Sequence, residues 1–165
     1  MRPSKSDIEA LYREYGAALL LFACSICGEP SRAQDAVHQI FLKIIDGKAI
    51  RGIEKPKAYL FACVRNELLN QNRSFQRMTP LQDDLWFEPP DRDFAAEANL
   101  RSALNGLPEE QRMVVVLHVW GELAFAEIGD VLGMNANTVA SRYRYALGKL
   151  REAMCGKEIP NGNAR

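Results

Sequence analysis

Three side chains, Asn137, Ser141 and Arg144, have the types and spacing to read nucleic-acid bases. Asn and Arg can each place two hydrogen bonds on a purine edge, adenine and guanine respectively, and Ser is an adaptable donor. On a helix, with Val139 turned to a core and about 100° per residue, these three and Gly148 point away from that core. Ala140 and Tyr145 flank them, and Thr138 stands in the same first turn. Arg142, Lys149 and Arg151 add charge suited to phosphates. The competing reading is an ordinary helical hairpin with a solvated basic face.

A helix that reads a groove needs a second helix to hold it, and Phe125–Tyr145 supplies the pattern. Ile128, Val131 and Leu132 stand at i, i+3, i+4, the apolar face of a short helix. Gly133 follows where a residue of positive φ commonly ends a helix. Asn135 is placed to cap the next helix, whose apolar side is Val139, Tyr143, Ala146, Leu147 and Leu150. Gly129 is small where two steeply crossed helices would collide. The order is that of a helix-turn-helix, whose second helix enters the major groove.

The 165 residues allow one domain or two small ones, and 47% hydrophobic content suffices for packed cores. Formal net charge is zero, which argues against a simple nucleic-acid coat protein. The charges are segregated, however. Lys43–Arg77 carries eight basic residues against Asp46, Glu54 and Glu67. Thr79–Glu97 carries Asp83, Asp84, Glu88, Asp91, Asp93 and Glu97 against Arg92 alone. Asn137–Arg151 has four basic residues and no acidic one. The longest apolar run, Ala17–Cys27, has 11 residues, too short for a bilayer that needs about 20. The acidic residues Asp7, Glu9 and Glu14 do not suit a signal peptide, so the expectation is a cytoplasmic protein without membrane insertion.

In chain order, Ser6 and Glu9 suggest a capping box for a first helix with a stripe of Ile8, Leu11, Tyr12, Tyr15, Leu19 and Phe22. Ser31 is the expected cap of a second helix, Arg32 to Ile45, buried through Ala36, Val37, Ile40, Phe41 and Ile44. Pro56 opens a third, to about Gln76. Met78–Asp93, with Pro80, Pro89 and Pro90, reads as a linker, although Leu81, Leu85, Trp86 and Phe87 suggest that part of it docks. Helices resume at about Phe94, and Pro108 opens the one before the helix-turn-helix. No strand pattern or repeat is present, so the fold class is all-α: two small helical domains joined by an acidic, Pro-containing linker. The expected division is 1–78, a linker at 79–97, a second domain at 98–156, and a tail at 157–165.

Taken together, SRAQDAVHQIFLKII, KPKAYLFACVRNELLNQNRSFQR and LNGLPEEQRMVVVLHVWGELAFAEIGDVLGMNANTVASRYRYALGKLREAM resemble bacterial RNA polymerase sigma factors of the extracytoplasmic-function (ECF) type. The likeness spans about residues 6 to 154, with its motifs in the family's order. It implies a promoter-specificity subunit that binds core polymerase and opens DNA. By position, Asp35, His38, Gln39, Phe41, Leu42 and Ile45 would meet the β′ coiled coil. Lys55, Lys57, Arg65, Asn66, Arg73 and Arg77 would bind and melt the −10 element, Arg65 and Asn66 matching the family's Arg-Asn pair. Asn137, Thr138, Ser141, Arg142, Arg144 and Tyr145 would read the −35 element. The implied partners are core polymerase, through the β′ coiled coil and the β flap, and promoter DNA; anti-sigma factors are common in the family, and nothing here names one. His38, Gln39, Ala140, Tyr143 and Tyr145 depart from the family's usual residues.

For Tyr59 and Phe61 core packing is the better reading than base stacking. Cys24 and Cys27 form a CxxC, but without a second CxxC or a nearby His, core packing outweighs a metal or redox role. His118 reads as a core-edge residue. No carboxylate pair, phosphate-cradling loop or Ser/His/Asp set suggests an enzyme, and no cofactor is expected. The remaining alternative is a dimeric helix-turn-helix regulator that binds duplex DNA without polymerase.

Overall fold

Helix-forming periodicity and turn residues divide the chain into helices joined by short turns, among the residues described. The fold comes from a computed structural model that describes residues 4–47, 55–75 and 94–155, with side chains described outside 72–75 and 94–98. Arg77, most of the expected linker with Leu81, Leu85, Trp86 and Phe87, and the tail lie outside the described residues. The helices are α1 (Lys5–Cys27), α2 (Pro30–Ile45), α3 (Pro56–Phe75), α4 (Phe94–Asn105), α5 (Glu109–Val119), α6 (Phe125–Leu132) and α7 (Ala136–Cys155).

Two helix starts differ from the sequence expectation. α1 begins one half-turn early: Ser4, not Ser6, accepts from the Asp7 N–H at 3.1 Å, and Asp7 accepts from the Ser4 N–H at 3.0 Å. Asp7 gives the same reciprocal cap as Glu9 would have, with a shorter side chain. α2 starts at Pro30, whose missing N–H costs nothing in a first turn, and Ser31 donates to the Glu29 carboxylate at 2.8 Å instead of capping. Gly28 closes α1 at φ 70°, its N–H donating to Cys24 O. α1 is also long and apolar enough to cross a membrane by length and composition, because the 11-residue run extends into a 23-residue helix with few charges. Its apolar residues Leu19, Phe22 and Ala23 are fully buried in the protein core.

α1, α2 and α3 form the first unit. Phe22 and Phe61 meet edge to face at 5.5 Å, both fully buried, with Leu19, Val37, Leu60, Val64 and Leu68 around them. Each such side chain contributes about 1.5–3 kcal/mol by leaving water. Lys43 on α2 pairs with Glu67 on α3 at 2.8 Å. Phe61 therefore packs as expected, but Tyr59 is 41% exposed; it lies 40° around the helix from Lys55, on the side turned from α1 and α2.

α4 to α7 form the second unit. Ala103, Leu104, Leu107, Val115, Ala146 and Leu150 make a small core of their own. Leu147, expected on that apolar side, is 42% exposed. α5 is buried all round: Met113, Val114, Val115, Val116 and Leu117 are consecutive and buried. Val115 faces the small core, whereas Met113, Val114, Val116 and Leu117 join the cluster that holds α1 to α3.

Candidate nucleic-acid interface

The turn of the helix-turn-helix is dictated by three residues. Gly133 takes φ 72° and ends α6. Asn135 caps α7, its side-chain oxygen accepting from the Thr138 N–H at 2.8 Å. Gly129 leaves room for the turn itself: a methyl there would collide with the Met134 carbonyl oxygen. The small residue is thus required by the turn's backbone and not, as the sequence suggested, by the partner helix. Glu127 reaches back to the Ala124 N–H at 3.1 Å and steadies the start of α6.

α7 is held on one side only. Val139, Ala146 and Leu150 are buried, and Asn137, Arg144, Tyr145, Gly148 and Lys149 are exposed. Ser141 and Thr138 are half-buried at the edge of that exposed face. Arg142 is different: its guanidinium is paired with Glu110 on α5. A phosphate would have to compete with that carboxylate. Three rings fix the roll of α7. Tyr143 touches His118 with centroids 4.6 Å apart and Phe125 at 5.5 Å, while His118 and Phe125 lie 4.7 Å apart. His118 is anchored in turn, its Nδ1–H donating to Leu123 O at 2.9 Å. The expectation for His118 as a core-edge residue holds, and the ring cluster was not legible from spacing, since its members come from three helices.

The charged residues of α3 do not form one surface. At 100° per residue, Lys55, Asn66 and position 73 fall within about 20° of one another, and the exposed Tyr59 and Asn70 flank them. Lys57 points elsewhere: its ammonium donates to Glu122 O at 3.1 Å, in the turn between α5 and α6, where Glu122 holds φ 53°. Arg65 is half-buried about 100° from that stripe. The structure therefore brings Lys55, Asn66 and the Arg73 position together and separates Lys57 and Arg65 from them.

On α2, Asp35, His38, Gln39, Leu42 and Ile45 share an exposed stripe, with Leu42 50% and Ile45 48% exposed. Phe41 is buried and stacks edge to face on Tyr12 at 5.1 Å, so it supports this surface from beneath. Beside it runs an apolar groove of about 890 Å³ between α1 and α2, lined by Ile8, Tyr12, Gly16, Leu20, Leu42 and Ile45 among others. Tyr12, expected in the core, is 41% exposed here. The α1 half of this groove was missed in sequence reasoning; the signal was an apolar stripe broader than one packed face needs.

Among the cysteines, Cys24 is buried and Cys27 donates to Glu29 O at 3.3 Å. Burial pushes the Cys27 thiol above its ordinary value, and does the same to Cys63. Among the described residues no group of His, Cys, Asp and Glu could hold a metal ion.

These surfaces coincide with a known two-part architecture. Residues 11–78 match the family description Sigma-70 region 2, and residues 97–150 match Sigma-70, region 4. The chain belongs to the sigma-70 family of transcription initiation factors. It is 27% identical over 153 residues to the ECF RNA polymerase sigma factor SigL of Mycobacterium tuberculosis, covering 87% of this chain and 86% of that one. It is 29% identical over 161 residues to the RNA polymerase sigma-E factor of Streptomyces coelicolor, covering 93% and 89%. Its fold is similar to that of the sigma factor RpoE in complex with the anti-sigma factor NepR from Bartonella quintana, with a TM-score of 0.69, 23% identity, and coverage of 92% of this chain and 98% of that one. CnrH in complex with the cytosolic domain of CnrY also matches, with a TM-score of 0.61, 23% identity, and coverage of 94% and 92%. Within the family the chain is an ECF-type sigma factor, a subunit that binds core RNA polymerase, directs it to promoters and promotes DNA melting.

Proposed function

We propose that the steps of initiation are divided among three surfaces of this chain. The division of the chain itself is 1–78, 79–97, 98–156 and a tail at 157–165. The α1–α2 groove, with Asp35, His38, Gln39, Leu42 and Ile45 on its rim and Phe41 beneath, takes the β′ coiled coil of core polymerase. An apolar groove with a polar rim suits a helix laid along it. The α3 stripe of Lys55, Asn66, Arg73 and Tyr59 takes the opened −10 strand, with Arg65, Arg77 and Lys57 at its margins. Opening a duplex costs a few kcal/mol per flipped base, which polar, basic and aromatic contacts to the freed strand offset. α7 takes the −35 duplex, with Asn137, Ser141 and Arg144 on base edges, and Thr138, Arg142 and Tyr145 beside them.

The protein performs no catalysis of its own; polymerase supplies the chemistry, and the chain acts in the cytoplasm where polymerase and DNA meet. The similar fold of RpoE, solved in complex with the anti-sigma factor NepR, supports an anti-sigma partner for this chain as well. The observation that carries the reading is the presence, in one chain, of a one-sided reading helix and a separate apolar groove. A dimeric regulator needs no such groove beside a second nucleic-acid stripe. Run-off transcription with purified core polymerase on a promoter library tests it. Transcripts that depend on the protein and share −35 and −10 motifs are expected. Tight binding to duplex DNA alone, with no polymerase binding and no transcripts, would point instead to the regulator.

A further inference from the structure

Two tyrosines stand on α7, and the fold uses one of them. Tyr143 is taken up by His118 and Phe125, and those contacts fix the roll of the helix. Tyr145, about 200° further round, is 68% exposed, more than any other large apolar side chain among the described residues. An aromatic ring gains by leaving water, so one held out in it by a fixed helix is available to a partner. Its neighbours indicate which. Arg144 lies about 100° to one side, on the exposed face of Asn137 and Gly148. Lys149, exposed and at i+4, lies about 40° to the other side. Arg142, also near that flank, is held by Glu110. The ring therefore stands between a side chain suited to base edges and one suited to phosphates. A protein seated on it would cover Arg144 and Lys149 as well and close the face to DNA. Gly148, at i+3, points the same way. A methyl there would meet no atom within 4 Å, so the fold does not require this mid-helix glycine, which weakens the helix. Its missing side chain, with the short Ser141 at i−4, clears the approach of α7 to a groove floor beside Tyr145.

We infer that Tyr145 packs on the C5-methyl group of a thymine in the −35 element, so that recognition of one base pair depends on that methyl. The inference rests on the assignment of α7 to the −35 duplex. In the major groove thymine presents O4 as an acceptor and, outboard of it toward its own backbone, the methyl group. That is the place between base edge and phosphate where the ring stands. Thymine alone of the four bases carries an apolar group on this edge, so an apolar ring discriminates there. A Lys or Arg at the same position would reach the phosphate and strengthen binding to every sequence alike. Tyr145 is among the residues that depart from the family's usual types, so the preference belongs to this chain and not to the family at large.

The test removes the methyl group and nothing else. Deoxyuridine replaces thymidine, one position at a time on either strand, through the −35 element of a promoter that the full chain and core polymerase transcribe. Run-off is measured at subsaturating holoenzyme. At least one position should be sensitive, transcription by the unaltered protein falling about fourfold, the worth of one buried methyl group. With Tyr145→Ala, thymidine and deoxyuridine at that position should be used equally. Thermal unfolding should not change, because the ring is exposed. Tyr145→Phe should keep the fourfold distinction, because the ring remains. No sensitive position, or a distinction that survives at every such position in Tyr145→Ala, would overturn the contact. So would loss of the distinction in Tyr145→Phe, which would put the hydroxyl on a phosphate in place of the ring on a methyl. Failure of the −35 assignment itself shows differently: Arg144→Ala would then have no position-specific effect on single-base variants of the element.

Discussion

α3 and α7 are both 20 residues long and both carry basic and amide side chains, yet they present them in opposite ways. α7 is packed on one side, and its polar face is open from Asn137 to Lys149. α3 is packed against α1 and α2 on one side and against α6 on another, which leaves a narrow stripe for Lys55, Tyr59 and Asn66. A helix held on one side reads a groove by entering it. A helix held on two sides can only offer an edge, which suits a single displaced strand better than a duplex. The same double packing explains why Lys57 is occupied within the protein while Arg144 is exposed.

Substitutions sharpen this contrast, beginning with the one of largest effect. Phe61→Ala removes a fully buried ring from the side of α3 that packs on Phe22. It should cost about 3–5 kcal/mol of stability, measured by denaturant unfolding. A loss under about 1 kcal/mol would mean that α3 is not clamped as described. Gly129→Ala forces a methyl onto the Met134 carbonyl and should cost about 1–3 kcal/mol. Its −35 binding should fall while strand binding by α3 is kept. Equal loss of both would tie the turn to the whole fold.

Arg144→Ala should leave stability unchanged within about 0.5 kcal/mol. It should cost about 1–3 kcal/mol of discrimination at one −35 position, read from transcription on single-base promoter variants. Uniform weakening on every sequence would reassign it to a phosphate. Lys55→Ala should act in that uniform way, lowering the salt dependence of strand binding by about one unit of slope.

The smallest effect is one of pH. Burial raises the Cys27 and Cys63 thiols above their ordinary value of 9.0, so the folded state favours the neutral form. Their contribution to stability is complete below the unfolded thiol pKa and is lost as pH rises through the raised folded values. Thermal unfolding should therefore shift downward above about pH 9, and a Cys27→Ala, Cys63→Ala chain should lose part of that slope.

α7 was legible because its signals are local. Gly133, Asn135 and the spacing Val139, Ala146 and Leu150 lie within one hairpin, and the structure uses each as the spacing implied. The edges of elements were less so, since Ser4 and Ser6 offer nearly equivalent caps and only the reach of Asp7 decides between them. Residues answering to distant partners could not be read at all. Tyr12 and Tyr59 fit an apolar helical stripe, but each stripe is wider than its packed face, and the excess is exposed. Arg142 sits among basic residues in sequence, while Glu110, its partner, arrives from another helix. The run of Val114 to Leu117 did carry a long-range signal: a helix apolar all round requires more neighbours than its own unit provides.

The proposed division of labour between α3 and α7 is tested most directly by run-off transcription from a template whose −10 region is already unpaired. Mismatch removes the cost of opening, so Asn66→Ala, impaired on duplex promoters, should recover most of its activity on the open template. Arg144→Ala should stay impaired on both, because the −35 duplex is unchanged. Recovery by Arg144→Ala, or continued failure of Asn66→Ala on the opened template, would contradict the account.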